Sequence, residues 1–260
     1  MRALVAIIGL IGLTAATILA QEEPPASAAE RLHRLEAEWR NQRQKHYETI
    51  RRQAAESSEE GAVRTAIPMF PPVGDLIERA EKEAGLCAKA DDAVPFWLFA
   101  LDLALIDRSD QARPRRLIET LCDKGMESVA LARLPKALSA AGNVVGREFC
   151  DQKLALLEAK SPHPQVRAAA IVERVRVTME SAPIDGEAYT EARAALDRAQ
   201  DLAKGQRGLL AEIREMIALR ETLAVGMPAP DIEGVDLGGK AFKLSDYRGR
   251  VILLDFWGDW

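Results

Sequence analysis

The chain has 260 residues, which is enough for one large domain or two ordinary domains. Hydrophobic residues make up 48% of it and charged residues 29%, the proportions of a globular protein. The formal net charge of −5 gives no support for a nucleic-acid-binding surface, which needs a basic excess.

The first 20 residues have the pattern of an export segment. Arg2 supplies a short positive region, residues 3–20 are apolar apart from two threonines, and Ala20 is a small residue at a suitable cleavage point. The turn-prone residues 22–25, Glu-Glu-Pro-Pro, favour a cleaved signal peptide. The apolar run is also long enough for an uncleaved inner-membrane anchor over residues 3–20. In both interpretations the rest of the chain is exported, to the periplasm or another extracytoplasmic space.

Residues 28–56 form a long helix by propensity, with apolar or aromatic residues at rough heptad spacing. The seam consists of Leu32, Leu35, Trp39, His46 and Ile50. This pattern suits either a dimerising coiled coil or a narrow stripe that packs on the helix's own domain. The seam is short and imperfect, which favours the second interpretation. Residues 57–66 are polar and contain glycine, so they are predicted to be a linker.

Residues 67–223 are helical by pattern and lack a clean repeat period, which predicts an irregular helical-hairpin domain of the TPR or HEAT type. Residues 94–106 are apolar almost all round, and at this length they indicate a buried central helix rather than a membrane span. Gly142 and Asn143 are predicted to break the pattern. Ser161 is predicted to cap a later helix whose first turn contains Pro164.

Residues 225–260 have a different pattern. The two prolines at 228 and 230 impose an extended, non-helical start. Two short runs at 232–237 and 241–244 are separated by Gly238-Gly239, which predicts a hairpin turn. Residues 251–254, Val-Ile-Leu-Leu, are typical of a strand buried on both faces.

This last segment resembles the opening of the thioredoxin-like domain in the TlpA group, within the redoxin and AhpC/TSA superfamily. The matching positions are Gly226, residues 228–231, Gly239, Lys240, Leu244, residues 247–249 and the strand 251–257. Members of that family continue from a Phe-Trp-x-x-Trp segment directly into Cys-x-x-Cys. Residues 256–260 provide that aromatic segment, and neither the nucleophilic nor the resolving cysteine is in this sequence.

The resemblance implies a mostly α chain, in which a helical-hairpin domain precedes the first β-hairpin and first core strand of an incomplete α/β thioredoxin-like domain. It also implies an exported thiol-disulfide oxidoreductase of cell-envelope redox homeostasis, with protein thiols and disulfides as substrates. Because exchange needs a paired thiolate at a helix N-terminus, the fragment without its Cys-x-x-Cys is predicted to be inactive on its own.

Two alternative functions remain open. The chain could be a non-enzymatic helical interaction module that carries a vestigial redoxin start. It could also belong to the peroxiredoxin-type antioxidants of the same superfamily. Those proteins place Pro-x-x-x-(Thr/Ser)-x-x-Cys after the equivalent strand, and residues 257–260 carry neither that proline nor that threonine. The disulfide-exchange branch is therefore favoured.

Two residues have a catalytic role by resemblance. Asp255 matches the buried acid behind the cysteine pair, and Trp260 matches the residue that precedes the first cysteine. A carboxylate after four apolar strand residues is expected to be desolvated, with a raised pKa. The alternatives are an exposed aspartate at a strand end and a disordered terminal tryptophan.

The three cysteines, Cys87, Cys122 and Cys150, are not part of a Cys-x-x-Cys motif, and each lies in or beside an apolar helical segment. They are interpreted as buried small side chains or as the source of one structural disulfide, for which Cys122–Cys150 is the favoured pair. The three histidines are scattered without zinc-ligand spacing. No metal, cofactor or nucleic-acid partner is predicted, and a membrane contact is predicted only if residues 3–20 stay uncleaved.

Overall fold

The computed structural model describes residues 26–56, 68–107, 109–223 and 225–255. Over these ranges the chain forms nine α-helices and one two-stranded sheet, so the predicted mostly α class is confirmed. The elements are α1 (Ala28–Glu56), α2 (Gly74–Gly85), α3 (Ala90–Ala104), α4 (Arg113–Lys124), α5 (Leu134–Val145), α6 (Arg147–Lys160), α7 (Pro164–Ser181), α8 (Glu187–Leu202), α9 (Arg207–Leu223), β1 (Glu233–Val235) and β2 (Ala241–Lys243). None of the described helices is long and apolar enough to cross a membrane. The predicted export segment and the linker at 57–66 lie outside the described residues.

The first third of α1 packs on the helical domain and the rest is largely exposed. Its start is capped reciprocally, because Glu30 accepts a hydrogen bond from the Ser27 backbone N–H at 2.7 Å and the Ser27 hydroxyl accepts one from the Glu30 N–H at 3.2 Å. Leu35 is 4% exposed, and Leu32 and Trp39 pack beside it against the core. Three of the five seam residues, Leu32, Leu35 and Trp39, therefore contact the helix's own domain, in the manner of the second interpretation of the heptad pattern.

The larger hydrophobic core is built around α3. Its side chains are buried on several faces, and Val94, Phe96 and Leu101 have no exposed surface. Helices α2 and α4 pack on α3, and α5 and α6 complete the same cluster. The apolar composition of α3 thus produces a central helix, because only surrounding helices can cover an apolar surface on all sides.

One helix boundary in the middle of the domain differs from the sequence expectation. The predicted break at Gly142 and Asn143 is wrong, because both residues lie inside α5. The break falls instead at Gly146, whose φ of 97° is a conformation that other residues rarely adopt. The stretch before α5, Val129–Arg133, is a 3₁₀ helix rather than part of an α-helix.

Helix α7 is shared by two hydrophobic clusters. Val166 and Ala170 belong to the larger core, whereas Ile171 and Met179 belong to a second core with α8 and α9. Because one helix contributes to both clusters, the helical region from α2 to α9 is continuous.

The predicted capping of α7 by Ser161 is wrong. The residue at the N-cap position of α7 is His163, and its side chain makes no capping bond. Pro164 is the first helical residue, where its missing N–H costs nothing. The Ser161 hydroxyl instead accepts a hydrogen bond from the His163 backbone N–H at 3.3 Å, one residue before the helix begins.

Candidate functional site

The segment that carries the family resemblance begins with a β-hairpin. Strand β1 pairs antiparallel with β2, with Glu233 opposite Lys243 and Val235 opposite Ala241. In the connecting loop, the Asp236 carboxylate accepts hydrogen bonds from the backbone N–H groups of Gly238 and Lys240, both at 2.9 Å. Because these bonds are local, the predicted hairpin turn forms at its predicted place.

A second carboxylate joins the start of the segment to its 3₁₀ turn, Leu244–Tyr247. Asp231 accepts one hydrogen bond from the backbone N–H of Ser245 at 2.8 Å and another from the Ser245 hydroxyl at 2.7 Å. The Leu244 N–H also donates to the Ile232 carbonyl at 2.9 Å. The bond from the Ser245 hydroxyl, followed by the one from its backbone, lowers the pKa of Asp231. This Asp231–Ser245 clip was not predicted, although an aspartate after Pro-Ala-Pro with a serine after the second strand could have indicated it.

The hairpin has a small aromatic centre. The rings of Phe242 and Tyr247 meet edge to face, with centroids 6.5 Å apart. Gly234 faces Phe242 across the hairpin, and a Cβ at Gly234 would lie 3.0 Å from that ring. A side chain at this position would therefore require the Phe242 ring to shift, whereas the backbone conformation of Gly234 does not itself demand glycine.

The predicted strand after the hairpin is wrong for its described part. Residues 251–255 have no regular secondary structure, and Val251 and Leu253 are almost fully exposed. Asp255 is exposed as well, so the burial expected for it is corrected. The physical reason is that a buried strand needs pairing partners and covering elements, and no described residue outside the hairpin provides a strand. Trp260 lies outside the described residues.

The three cysteines are unpaired in the structure, so the alternative of a Cys122–Cys150 disulfide is not formed. Burial raises the pKa of Cys122 to about 11, and burial also raises the pKa of Cys150. Cys87 is partly exposed, and burial raises its pKa against the opposing effect of Arg31. A thiol must ionise to attack a disulfide, so none of the three has the setting of an exchange catalyst.

The described residues contain no group of three or more His, Cys, Asp or Glu side chains that could hold a metal ion. Two of the histidines bind backbone carbonyls instead. His46 Nε2 lies 2.7 Å from the Pro68 carbonyl oxygen, and His163 Nε2 lies 2.8 Å from that of Glu127. Both rings therefore connect segments that are far apart in sequence.

The helical region contributes a groove with a volume of about 420 Å³ among α3, α5, α7 and α9. Its apolar lining consists of Ala132, Ala137, Ala140, Ala169, Val172 and Leu209. Asp102 and Arg133 lie on one side, with the carboxylate 3.7 Å from the guanidinium. Desolvation in this concave wall raises the pKa of Asp102, although about half of its side chain is exposed.

On the other side of the groove, Arg176 binds both Glu173 at 2.7 Å and Glu212 at 2.6 Å, which connects α7 to α9. Sequence reasoning did not find this groove, because its walls come from segments widely separated along the chain.

Comparison with known proteins finds a short local similarity. A stretch of 41 residues, 16% of this chain, is 49% identical to thiol-disulfide oxidoreductase ResA of Geobacillus kaustophilus and covers 24% of that protein. The protein of the same name from Geobacillus thermodenitrificans is 46% identical over 41 residues, again with 24% of its length covered. The protein of that name from Bacillus thuringiensis subsp. konkukian is 40% identical over 40 residues, 15% of this chain and 23% of that protein.

The chain thus spans about a quarter of the length of the curated relatives it matches. No family model matches the chain, and no solved structure matches it. The local similarity is to proteins named thiol-disulfide oxidoreductases and covers only the part of this chain given above.

Proposed function

We propose that this protein is an exported thiol-disulfide oxidoreductase of the TlpA-like, thioredoxin-like type that acts in the cell envelope. The observation that carries the proposal is the similarity over 40 or 41 residues to three thiol-disulfide oxidoreductases at 40 to 49% identity. The resemblance of residues 225–260 to the start of such a domain supports it from the residues themselves. Protein thiols and disulfides are the proposed substrates.

In this proposal the segment from Asp231 to Asp255 leads the chain into the redox domain. The Asp231–Ser245 clip and the hairpin turn fix the backbone conformation at the start of the segment, and both consist of contacts within the segment itself. Asp255 is the proposed proton-transfer acid, and Trp260 is the proposed neighbour of the first cysteine of a following Cys-x-x-Cys. Asp255 is exposed in the structure, so its proposed role requires later strands or helices to cover it.

The helical region has the proposed role of a docking or spacing domain. Its groove offers an alanine-rich floor with Arg133 on one side and Glu212 on the other. An extended substrate segment could bind there through its apolar side chains, while the charged sides fix its orientation. The three cysteines of this region have raised thiol pKa values, so they serve as core residues and not as the exchanging pair.

The second candidate is a non-enzymatic helical interaction module with a vestigial redoxin start. The groove favours it, because this site is complete within the helices and needs no redox chemistry. Reading the coding DNA beyond Trp260 separates the two candidates. A Cys-x-x-Cys in the same frame within the next few codons is expected for the oxidoreductase.

A stop codon, or a downstream sequence without paired cysteines, would contradict the oxidoreductase and leave the interaction module. If the cysteine pair is present, the longer protein should reduce insulin disulfides with dithiothreitol. The matched control replaces both new cysteines by serine and should be inactive.

A further inference from the structure

The exposed side of the second half of α1 carries a row of cations. Arg40, Arg43, Gln44, Tyr47 and Arg51, here called the basic face, are all exposed. Their spacing of three or four residues places them along one side of the helix. From Arg40 to Arg51 this row is about 17 Å long at the rise of an α-helix.

The cations of the basic face are not neutralised within the described part of the chain. Arg40, Arg43 and Arg51 have no carboxylate partner there, whereas Arg31 and Arg79 each bind a glutamate. These unpaired arginines lie in a chain whose formal net charge is −5. The positive surface is therefore local and does not reflect a basic composition.

The surroundings of the basic face carry charges of both signs, because Glu36 lies one helical turn before Arg40 on the same side of α1. Lys45 and Arg52 are exposed beside it, also without an ion pair among the described residues. Glu48 is the one carboxylate in residues 40–52, and its oxygen accepts a hydrogen bond from the Gln44 side chain at 2.8 Å. Residues 40–52 therefore carry five cations and one carboxylate, so this stretch of α1 is positive overall.

We propose that the basic face docks on the surface of an anionic phospholipid bilayer. A straight row of unpaired arginines matches a flat layer of phosphates, and arginine binds phosphate through its planar donor fork. Tyr47 lies between the arginines with 42% of its surface exposed, and tyrosine is favoured at the headgroup level of a membrane. A second copy of α1 is a poor occupant, because it would bring arginines against arginines.

The position of α1 in the chain is consistent with this partner. Ala28 follows the apolar run 3–20 by only a few residues. As the predicted export segment, that run would bring the chain to a membrane whether or not it is then cleaved. The proposal does not depend on the redox function, since none of its residues belongs to the C-terminal segment.

The first test compares flotation of the full chain with vesicles of pure phosphatidylcholine and with vesicles that contain phosphatidylglycerol. We expect phosphatidylglycerol to increase binding and high salt to remove the increase. In the variant Arg40→Glu/Arg43→Glu/Arg51→Glu the phosphatidylglycerol-dependent binding should fall at least about ten-fold, since each cation contributes a several-fold factor.

The matched control is Arg198→Glu/Arg207→Glu/Arg214→Glu. These arginines are exposed on α8 and α9 without an ion pair among the described residues, and their reversal changes the net charge by the same amount. The control should keep the phosphatidylglycerol dependence, and circular dichroism should show unchanged helical content in both variants. Equal loss in the control would overturn the proposal, because total charge would then explain the binding.

A second measurement tests the basic face even if residues 3–20 attach the chain to every vesicle. Phenylglyoxal modifies exposed arginines, and its sites are located by mass spectrometry. Vesicles with phosphatidylglycerol should slow modification of Arg40, Arg43 and Arg51 relative to pure phosphatidylcholine, with Arg198 unaffected. Equal rates with both vesicle types would overturn the proposal. Protection by an acidic protein or an oligonucleotide, with none by phosphatidylglycerol, would also overturn it and identify a different partner class.

Discussion

The carboxylate of Asp231 accepts two hydrogen bonds from Ser245, one from the backbone N–H at 2.8 Å and one from the hydroxyl at 2.7 Å. These residues are fourteen positions apart and enclose the whole hairpin. Together with the turn at Asp236, the clip gives the segment an internal hydrogen-bond framework, although its side chains bury little apolar surface.

Replacing Asp231 by Asn should loosen the hairpin, because the neutral amide accepts weaker hydrogen bonds than a carboxylate. Since the pKa of Asp231 is lowered in the folded chain, its contribution is present above the unfolded pKa of about 3.9 and is lost as pH falls through the folded value. The protection of the Leu244 and Ser245 amides, taken relative to the intrinsic exchange rate at each pH, should therefore decrease below about pH 4 in the wild type. In Asp231→Asn this protection should be lower already at neutral pH, so exchange of both amides should be faster there than in the wild type. The control Asp255→Asn should leave both amides unchanged, and equal acceleration in that control would contradict the clip.

Replacing Gly125 by Ala should destabilise the helical domain by about 1 to 3 kcal/mol, the usual cost of overpacking. A Cβ at Gly125 would lie 2.6 Å from the Leu121 carbonyl oxygen and 2.7 Å from Val94 Cγ2, so both the end of α4 and the Val94 side chain would have to shift. In the control Gly85→Ala the new Cβ meets nothing within 4 Å. Urea unfolding followed by circular dichroism should show a lower midpoint for Gly125→Ala and no decrease for Gly85→Ala. A midpoint for Gly125→Ala equal to that of the wild type would show that the contact is not tight.

The 260-residue chain is expected not to accelerate the reduction of insulin by dithiothreitol. At neutral pH the buried Cys122 thiol, with a pKa of about 11, supplies very little thiolate. Burial also raises the pKa of Cys87 and Cys150, so their thiolate fractions are reduced as well. Catalysis that disappears in one of the variants Cys87→Ser, Cys122→Ser or Cys150→Ser would refute the assignment of these residues as structural. In alkylation at neutral pH, Cys87 should react before the two buried thiols, because only Cys87 is partly exposed.

Removal of residues 225–260 should leave the helical content almost unchanged. None of residues 225–255, the described part of this segment, belongs to either hydrophobic cluster or to an α-helix. In the complete chain, the amides of residues 251–255 should exchange fast while those of α3 are protected. The truncated chain should also be more soluble, because exposed Val251 and Leu253 are removed. Strong protection at 251–255 in a monomer would show that something covers this stretch.

The export prediction is tested by the N-terminus of the mature protein. Protein recovered from the periplasm should begin at or near Gln21, because the small residue at Ala20 and the turn-prone residues after it fit signal cleavage. An intact Met1 in the membrane fraction would instead support an anchor over residues 3–20. Recovery from the cytoplasm would contradict both interpretations.

The features that the sequence determined are those that depend on neighbouring residues. The hairpin turn forms where Gly238 and Gly239 predict it, because Asp236 completes the turn within four residues. The helical region follows from apolar periodicity and from Pro164 at the first position of α7. The family resemblance is also local, since it rests on one contiguous run of residues.

The tertiary structure decided the features that depend on distant partners. Whether residues 251–255 form a buried strand depends on strands and helices that must pair with them and cover them, so the apolar pattern alone gave a wrong expectation for Asp255. The division of α7 between two cores depends on which helices reach Val166 and which reach Met179. The groove beside Asp102 combines α3, α5, α7 and α9, because the packing of these helices places residues that are far apart in the chain on one surface.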